Sequence, residues 1–180
     1  IVSHSQRLLK PDPARVVIRP FATADDEPEF AVAGRTREQR IADRVLALDS
    51  AEVAAELHDI VESLSEHHRD VDRVLLRRFH DINGLSIEAA SVSDDQAHLI
   101  GGYFSEEYAF EAAALFNPSI VAAPDQTGVP GGGLRFILSL RGVGEGHISS
   151  ITFRTGVLMA DGSITVDAPS IQAVPPRIKL

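Results

Sequence analysis

Cysteine is absent from the 180 residues, which removes disulfide frameworks, thiolate nucleophiles and cysteine-held zinc in one step. Basic residues are scarce: 17 Lys and Arg stand against 26 Asp and Glu, a formal charge of -9. A nucleic-acid binder needs a concentrated basic surface to neutralise phosphates, so this balance argues against nucleic acid as a partner. It places no restriction on a neutral ligand such as a sugar. No apolar run approaches the ~20 residues that span a bilayer, so no membrane association is expected. The first residues, Ile1 to Arg7, lack the basic-then-apolar order of a signal peptide. A start at Ile rather than Met is expected to reflect a lost initiator, a disordered start or a processed segment, and a cytoplasmic location is the default expectation. No internal repeat is visible.

What is present suffices for a core. The chain is 44% hydrophobic and 24% charged, the balance of an ordered domain or of one domain with an extension. The opening stretch to about Phe21 reads as extended. Its Arg15–Pro20 segment is β-branched and is punctuated by Pro11, Pro13 and Pro20, as suits an edge strand. Residues Ala22 to Gly34 are acidic and polar and read as a loop. From Thr36 to about Ile82 the pattern is helical. Thr36 with Gln39, and Asp49 with Glu52, have capping-box spacing. Behind them Ile41, Val45 and Leu48, then Val53, Leu57, Ile60 and Leu64, recur at helical spacing. A third run carries Val71, Val74, Leu75, Phe79 and Ile82 and is stopped by Asn83-Gly84. A shorter helix is expected after Ser105, with Tyr108, Ala112 and Leu115 inward, ending at Asn117-Pro118.

From Ser119 onward the period changes. Segments 119–123, 134–141, 147–154 and 163–167 are strand-like, and Asp161-Gly162 is a hairpin signal for the last pair. Four short antiparallel strands in chain order form a meander, the unit of a propeller blade. A single four-stranded sheet with two apolar faces is poorly protected, so Pro175-Pro176-Arg177 is expected to be a truncation point with partner blades following.

Motif chemistry alone is sparse. Gly142 to His147 (Gly-Val-Gly-Glu-Gly-His) has the glycine content of a phosphate loop, but a strand pattern follows where a helix N-terminus is required. It reads as a turn bringing Arg141, Glu145 and His147 to one sheet edge, or more plainly as a solvated hairpin with polar tips. His67 and His68 are adjacent, so on a helix they diverge by about 100°. With His80, His98 and His147 in other elements and no HExxH spacing, no metal site is expected. His67 and His68 read as surface residues near a helix end. Asp94-Asp95, Glu106-Glu107, Asp125 and Glu145 offer carboxylates, yet spacing singles out none as a general acid. Glu106-Glu107 suit a helix N-terminus. No GxSxG elbow is present. Pro124–Gly133 reads as a long hairpin loop that could carry a rim contact.

Several phrases in order do resemble a known family. They are Ala114–Val121 (Ala-Leu-Phe-Asn-Pro-Ser-Ile-Val), the strand end Leu138–Arg141, Gly144–Ile151, and Phe153–Gly156. Leu9–Phe21, with its Pro-Asp-Pro and Val-Val-Ile-Arg-Pro, adds to them. Together they resemble the start of glycoside hydrolase family 130, mannoside phosphorylases and β-mannosidases built on a five-bladed β-propeller. The resemblance covers residues 99–165 and 8–21. It implies an α+β chain: a lead-in strand over 1–21, a helical subdomain over 22–98, and the first antiparallel propeller blade over 99–180, truncated.

The resemblance also implies roles. Asn117 matches the asparagine that contacts the glycone sugar, and Arg141 the strand-end arginine on the same sugar. An amide offers donor and acceptor together, and a guanidinium fork matches vicinal hydroxyls. Ser149 and Ser150 stand where many members have a further arginine, a departure that bears on glycone choice. Glu145 and His147 enter as candidate substrate contacts from their position in the adjoining loop. The family's catalytic acid is an aspartate in a Glu-Asp-Pro-Arg-like phrase of the next blade. No such phrase occurs here, so no catalytic residue is assigned within the 180 residues. The implied function is that of an N-terminal portion of a glycoside phosphorylase or glycosidase acting on β-mannosides or related glycosides with inversion. No cofactor is implied beyond inorganic phosphate as a co-substrate. The expected partners are a glycoside or oligosaccharide, the remaining blades of the same protein and, through the helices, a second copy in a homo-oligomer. The alternative is a non-catalytic carbohydrate-binding or protein-interaction module. A third reading is an α+β protein complete as it stands.

Overall fold

Capping chemistry sets the start of the first helices, as the computed structural model shows; it describes residues 8–23, 35–87, 91–170 and 172–173. Helix α1 (Arg37–Leu46) begins where Thr36 Oγ1 accepts from the Gln39 amide at 3.1 Å. The reciprocal half of that box is not made. The Gln39 side chain instead donates to Asp43 and accepts from the Ser86 amide, tying a later loop to the helix. Helix α2 (Ser50–Ser65) has the complete box: Asp49 accepts from Ala51 and Glu52 amides, and Glu52 accepts from the Asp49 amide. Such a cap contributes about 1 kcal/mol. Helix α3 (Val71–Asp81) follows, and Gly84 at φ 82° lies just past its end.

A fourth helix, α4 (Asp94–Tyr103), has no counterpart in the sequence expectation. Its Leu99 and Ile100 are fully buried and join Ala42, Val45, Val53 and Phe104 as the core of the helical unit. Burying side chains of this size stabilises by roughly 1.5–3 kcal/mol each. Gly101 lets α4 cross α3 at backbone distance. A Cβ there would sit 2.0 Å from the Leu75 carbonyl oxygen, so only glycine fits.

The helix expected after Ser105 is a strand. Ser105–Ala109 forms β2, which pairs with β1 (Val16–Pro20) in a two-stranded sheet, and a turn over 110–113 leads into the next strand. Ala112, Ala113, Ala114 and Leu115 are good helix formers, but backbone pairing overrides that weak preference: the Ala113 amide bonds to Val143 O at 2.8 Å. Glu106 and Glu107 therefore have no helix N-terminus to serve. Glu106 pairs with Arg19 at 2.6 Å and Glu107 with His68 at 2.7 Å. His68 is likewise not a surface residue, since its side chain is 9% exposed, and His67 lies 3.5 Å from the same Glu107 oxygen.

The strand period after residue 114 is realised as a four-stranded antiparallel meander in chain order: β3 (Ala114–Ala122), β4 (Leu134–Val143), β5 (Ser149–Leu158) and β6 (Ile164–Val166). The Asp161-Gly162 hairpin closes as expected, with Gly162 at φ 84° and the Met159 amide bonded to Ser163 O at 2.9 Å. The long β3–β4 loop is braced by Gln126, which donates to the Ala123 and Arg135 carbonyls and accepts from the Arg135 amide. The chain divides into compact units at Val17/Ile18 and Glu107/Tyr108, one carrying the four helices described and the other the meander with its lead-in. The architecture is α+β, with four α-helices and two sheets among the described residues. The expected acidic loop falls, from Ala24 to Gly34, outside the described residues, as do Pro175–Arg177.

Candidate functional site

The two faces of the meander are chemically different, and strand register assigns each residue to one of them. Arg141 is paired across to Phe116 on β3 and to Ile151 on β5, so these three share a face, and Ser149 joins them two residues from Ile151. On β5 the alternation is inverted from the usual one. Thr152 and Arg154 are buried, whereas Ile151 and Phe153 are 72% and 60% exposed.

The buried face combines the apolar Phe136 and Leu140 with a charged cluster. Glu111, with no exposed surface, accepts from Arg154 Nη2 at 2.5 Å and lies 3.0 Å from Arg15 Nε. Thr152 Oγ1 accepts from Arg154 at 2.9 Å and from Arg15 at 3.4 Å, and Arg15 also donates to the Ser170 carbonyl at 3.0 Å. The Arg15 guanidinium lies 5.2 Å over the Phe110 ring, a cation–π contact in a desolvated setting. Burial pushes the Arg15 pKa down, the Glu111 carboxylate opposes that shift and Arg154 adds to it. This triad was not singled out in the sequence. A lone Arg in a strand and a lone Glu after an aromatic residue carry no local signal, because their partners are remote along the chain.

The opposite face carries the candidate site. Arg141 donates from Nε and Nη2 to Ser149 Oγ at 3.0 and 2.7 Å, and its guanidinium lies 5.1 Å over the Phe116 ring. A side chain clamped at two nitrogens and resting on an aromatic ring presents its remaining edge with little rotamer freedom left to lose. Asn117 sits at a bulge where the β3–β4 register shifts between Phe116 and Ser119. Its φ of 52° is a left-handed conformation that asparagine tolerates better than most residues. Pro118, which has no amide to pair, occupies the same irregularity.

Asn117, Arg141, Ser149 and Ser150, drawn from three strands, line one open cavity of about 340 Å³ together with Ser139, Leu140 and Ile151. That is room for a monosaccharide-sized ligand by the usual scale of binding pockets. On this face the lining offers the Asn117 amide, the Ser139 and Ser149 hydroxyls, the Arg141 guanidinium and the Ile151 side chain, while Leu140 and Ser150 alternate to the other face; the lining includes no carboxylate. Such a set can grip hydroxyl groups and one apolar ring face but cannot itself donate a proton as a carboxylic acid. Glu145 and His147 do not line it. They lie, exposed, in the one-turn 3-10 segment Glu145–His147 joining β4 to β5, with Gly146 and His147 both at positive φ.

No family model, no curated protein and no solved structure matches this chain.

Proposed function

We propose that this chain is the N-terminal portion of an inverting glycoside phosphorylase or glycosidase acting on β-mannosides or related glycosides, with the meander as its first propeller blade. The observation that carries the reading is the convergence of Asn117, Arg141, Ser149 and Ser150 on one cavity. The resemblance to glycoside hydrolase family 130 assigns Asn117 and Arg141 to the sugar, and Ser149 and Ser150 stand where many members have a further arginine. Residues separated along three strands share a cavity only if the fold brings them there.

In this reading the blade's residues bind and orient. The Arg141 edge left by the Ser149 clamp grips a pair of sugar hydroxyls, and the Asn117 amide both donates to and accepts from a third. Proton donation toward the glycosidic oxygen, with phosphate or water attacking the opposite face of the anomeric carbon, belongs to a carboxylic acid carried by another blade. Inorganic phosphate is a co-substrate in the phosphorylase version, and no cofactor is invoked. The exposed Ile151 and Phe153, joined by Val121 on the same face through Ile137, support further blades as packing partners. A cytoplasmic location and a homo-oligomer contact through the helices complete the proposal.

The absence of a carboxylate from the cavity lining favours one second reading, a carbohydrate-binding module without catalysis. Two measurements separate them. The open reading frame is followed past Leu180 for further blades and an Asp-Pro-Arg phrase, and the natural full-length protein is assayed on β-mannosides with and without phosphate. Turnover supports the enzyme. Sugar binding without turnover supports the module, and absence of binding refutes both.

A further inference from the structure

The turn between β4 and β5 is an unusual piece of backbone to place beside a binding site. It contains Gly146 and His147 at φ 63° and 61°, and no side-chain cap holds its start. Its last residue is followed almost at once by Ser149, the group that clamps Arg141. What holds the two ends of this turn therefore bears on the placement of Ser149.

Tyr108 supplies that fixing. Its hydroxyl, at the buried inner end of a residue 4% exposed, lies 3.0 Å from the Glu145 carbonyl and 3.4 Å from the Ile148 carbonyl. The two carbonyls bracket the 3-10 turn. The turn's own bonds converge on the same carbonyls: the Gly144 amide reaches Ile148 O at 3.1 Å, and the Ile148 amide reaches Glu145 O at 3.5 Å. Gly144 makes the approach possible, because a Cβ at that position would lie 2.4 Å from the Tyr108 hydroxyl.

We infer that Tyr108 is a positioning residue for the sugar site: it holds the β4–β5 turn so that Ser149 can fix Arg141. This rests on the proposed function, since it concerns the same cavity. Tyr108 does not line the cavity, so its effect passes through the turn backbone to Ser149 and then to Arg141.

The test titrates methyl β-mannoside into the natural full-length protein and its variants, with thermal unfolding measured in parallel. Tyr108→Phe keeps the ring and removes the hydroxyl. The expected result is affinity weakened about tenfold in the folded protein, the equivalent of about 1.4 kcal/mol. A structural role alone would lower the melting temperature and leave the affinity of the folded fraction unchanged, and that result overturns the inference. Ser149→Ala supplies a second criterion. If Tyr108 acts through Ser149, the double variant loses much less than the two single losses combined, whereas additive losses overturn it. Should Tyr108→Phe fail to fold, hydrogen exchange at the Gly144 and Ile148 amides of the wild type decides. By linkage, saturating ligand must slow exchange there if the turn and site are coupled, and unchanged rates overturn the inference. A wild type that binds neither methyl β-mannoside nor the methyl glycosides of related sugars refutes the proposed function and this inference together. A wild type that binds, with a variant that binds equally well, refutes this inference only.

Discussion

Replacing Glu111 by glutamine should destabilise the meander by several kcal/mol, and the structure shows why. The carboxylate has no exposed surface and faces two guanidinium groups, Arg15 at 3.0 Å and Arg154 at 2.5 Å. Glutamine is nearly isosteric, so packing is retained while the negative charge is lost. Two buried cations then face each other with no anion between them, and one glutamine nitrogen becomes a donor confronting donors. Breaking a buried pair by removing one partner typically costs 3–5 kcal/mol, and here two pairs share the removed partner. About 4 kcal/mol is therefore the central expectation. For chains of this length 1 kcal/mol shifts the melting temperature by roughly 2–4 °C, so a fall of about 10 °C is predicted. The assay is urea and thermal unfolding followed by circular dichroism in the far-ultraviolet. Loss of less than about 1 kcal/mol would refute the reasoning, because it would mean water or relaxation satisfies both guanidinium groups. A triple replacement of Arg15, Glu111 and Arg154 by Met, Leu and Met sharpens the test. With all three charges gone the desolvation cost goes with them, so the triple variant should be markedly more stable than Glu111→Gln alone.

Three other outcomes are expected. Arg141→Ala should weaken glycoside affinity by about tenfold or more while moving the melting temperature little, since Arg141 is exposed; equal affinity in calorimetric titration would remove it from the site. Gly101→Ala should destabilise the helical unit by several kcal/mol on the scale of a core clash, because the new methyl would sit 2.0 Å from the Leu75 carbonyl oxygen; a denaturation midpoint within error of wild type would contradict the α3–α4 crossing. Glu38 accepts a hydrogen bond from the Thr23 hydroxyl, and this, more than any other influence, holds its carboxyl below the ordinary value. A depressed folded-state pKa contributes stability above the unfolded-state value and loses it as pH falls through the folded-state one. Thr23→Ala should therefore flatten the acid limb of the stability profile and leave the neutral region nearly parallel, as unfolding at pH 3 to 7 would reveal.

Much of the fold was legible because it follows from local chemistry. Asp49 and Glu52 announce α2, Asn83-Gly84 ends α3, and Asp161-Gly162 closes the last hairpin, each through contacts a few residues apart. Two elements were hidden for opposite reasons. In α4, Gly101-Gly102 reads as a breaker, although Ser93 and Gln96 make a complete capping box that was available as a signal. Around Ala112 the helix-forming composition is overruled by pairing with β4, a partner that local propensity cannot anticipate. Within the cavity, Asn117, Arg141 and the two serines were named from resemblance. Ser139 and Ile151 emerge only from strand register, and Tyr108 only from its contact with the turn, 37 residues along the chain. The charged triad lay furthest from view, with Arg154 separated from Glu111 by 43 residues and Arg15 from Thr152 by 137.

The inverted alternation of β5 links these features. A sheet with one wet face normally turns its aliphatic and aromatic residues inward and its polar residues outward. Here Thr152 and Arg154 are inside, satisfied by Glu111 and Arg15, while Ile151 and Phe153 are outside beside Arg141 and Ser149. An inward guanidinium is tolerable only because a buried carboxylate answers it, so Glu111 is what permits this arrangement. The consequence is that the face richer in exposed apolar side chains is also the face that holds the candidate sugar site. A wholly solvated sheet gains nothing from such an arrangement, since exposed Ile and Phe invite edge and face association.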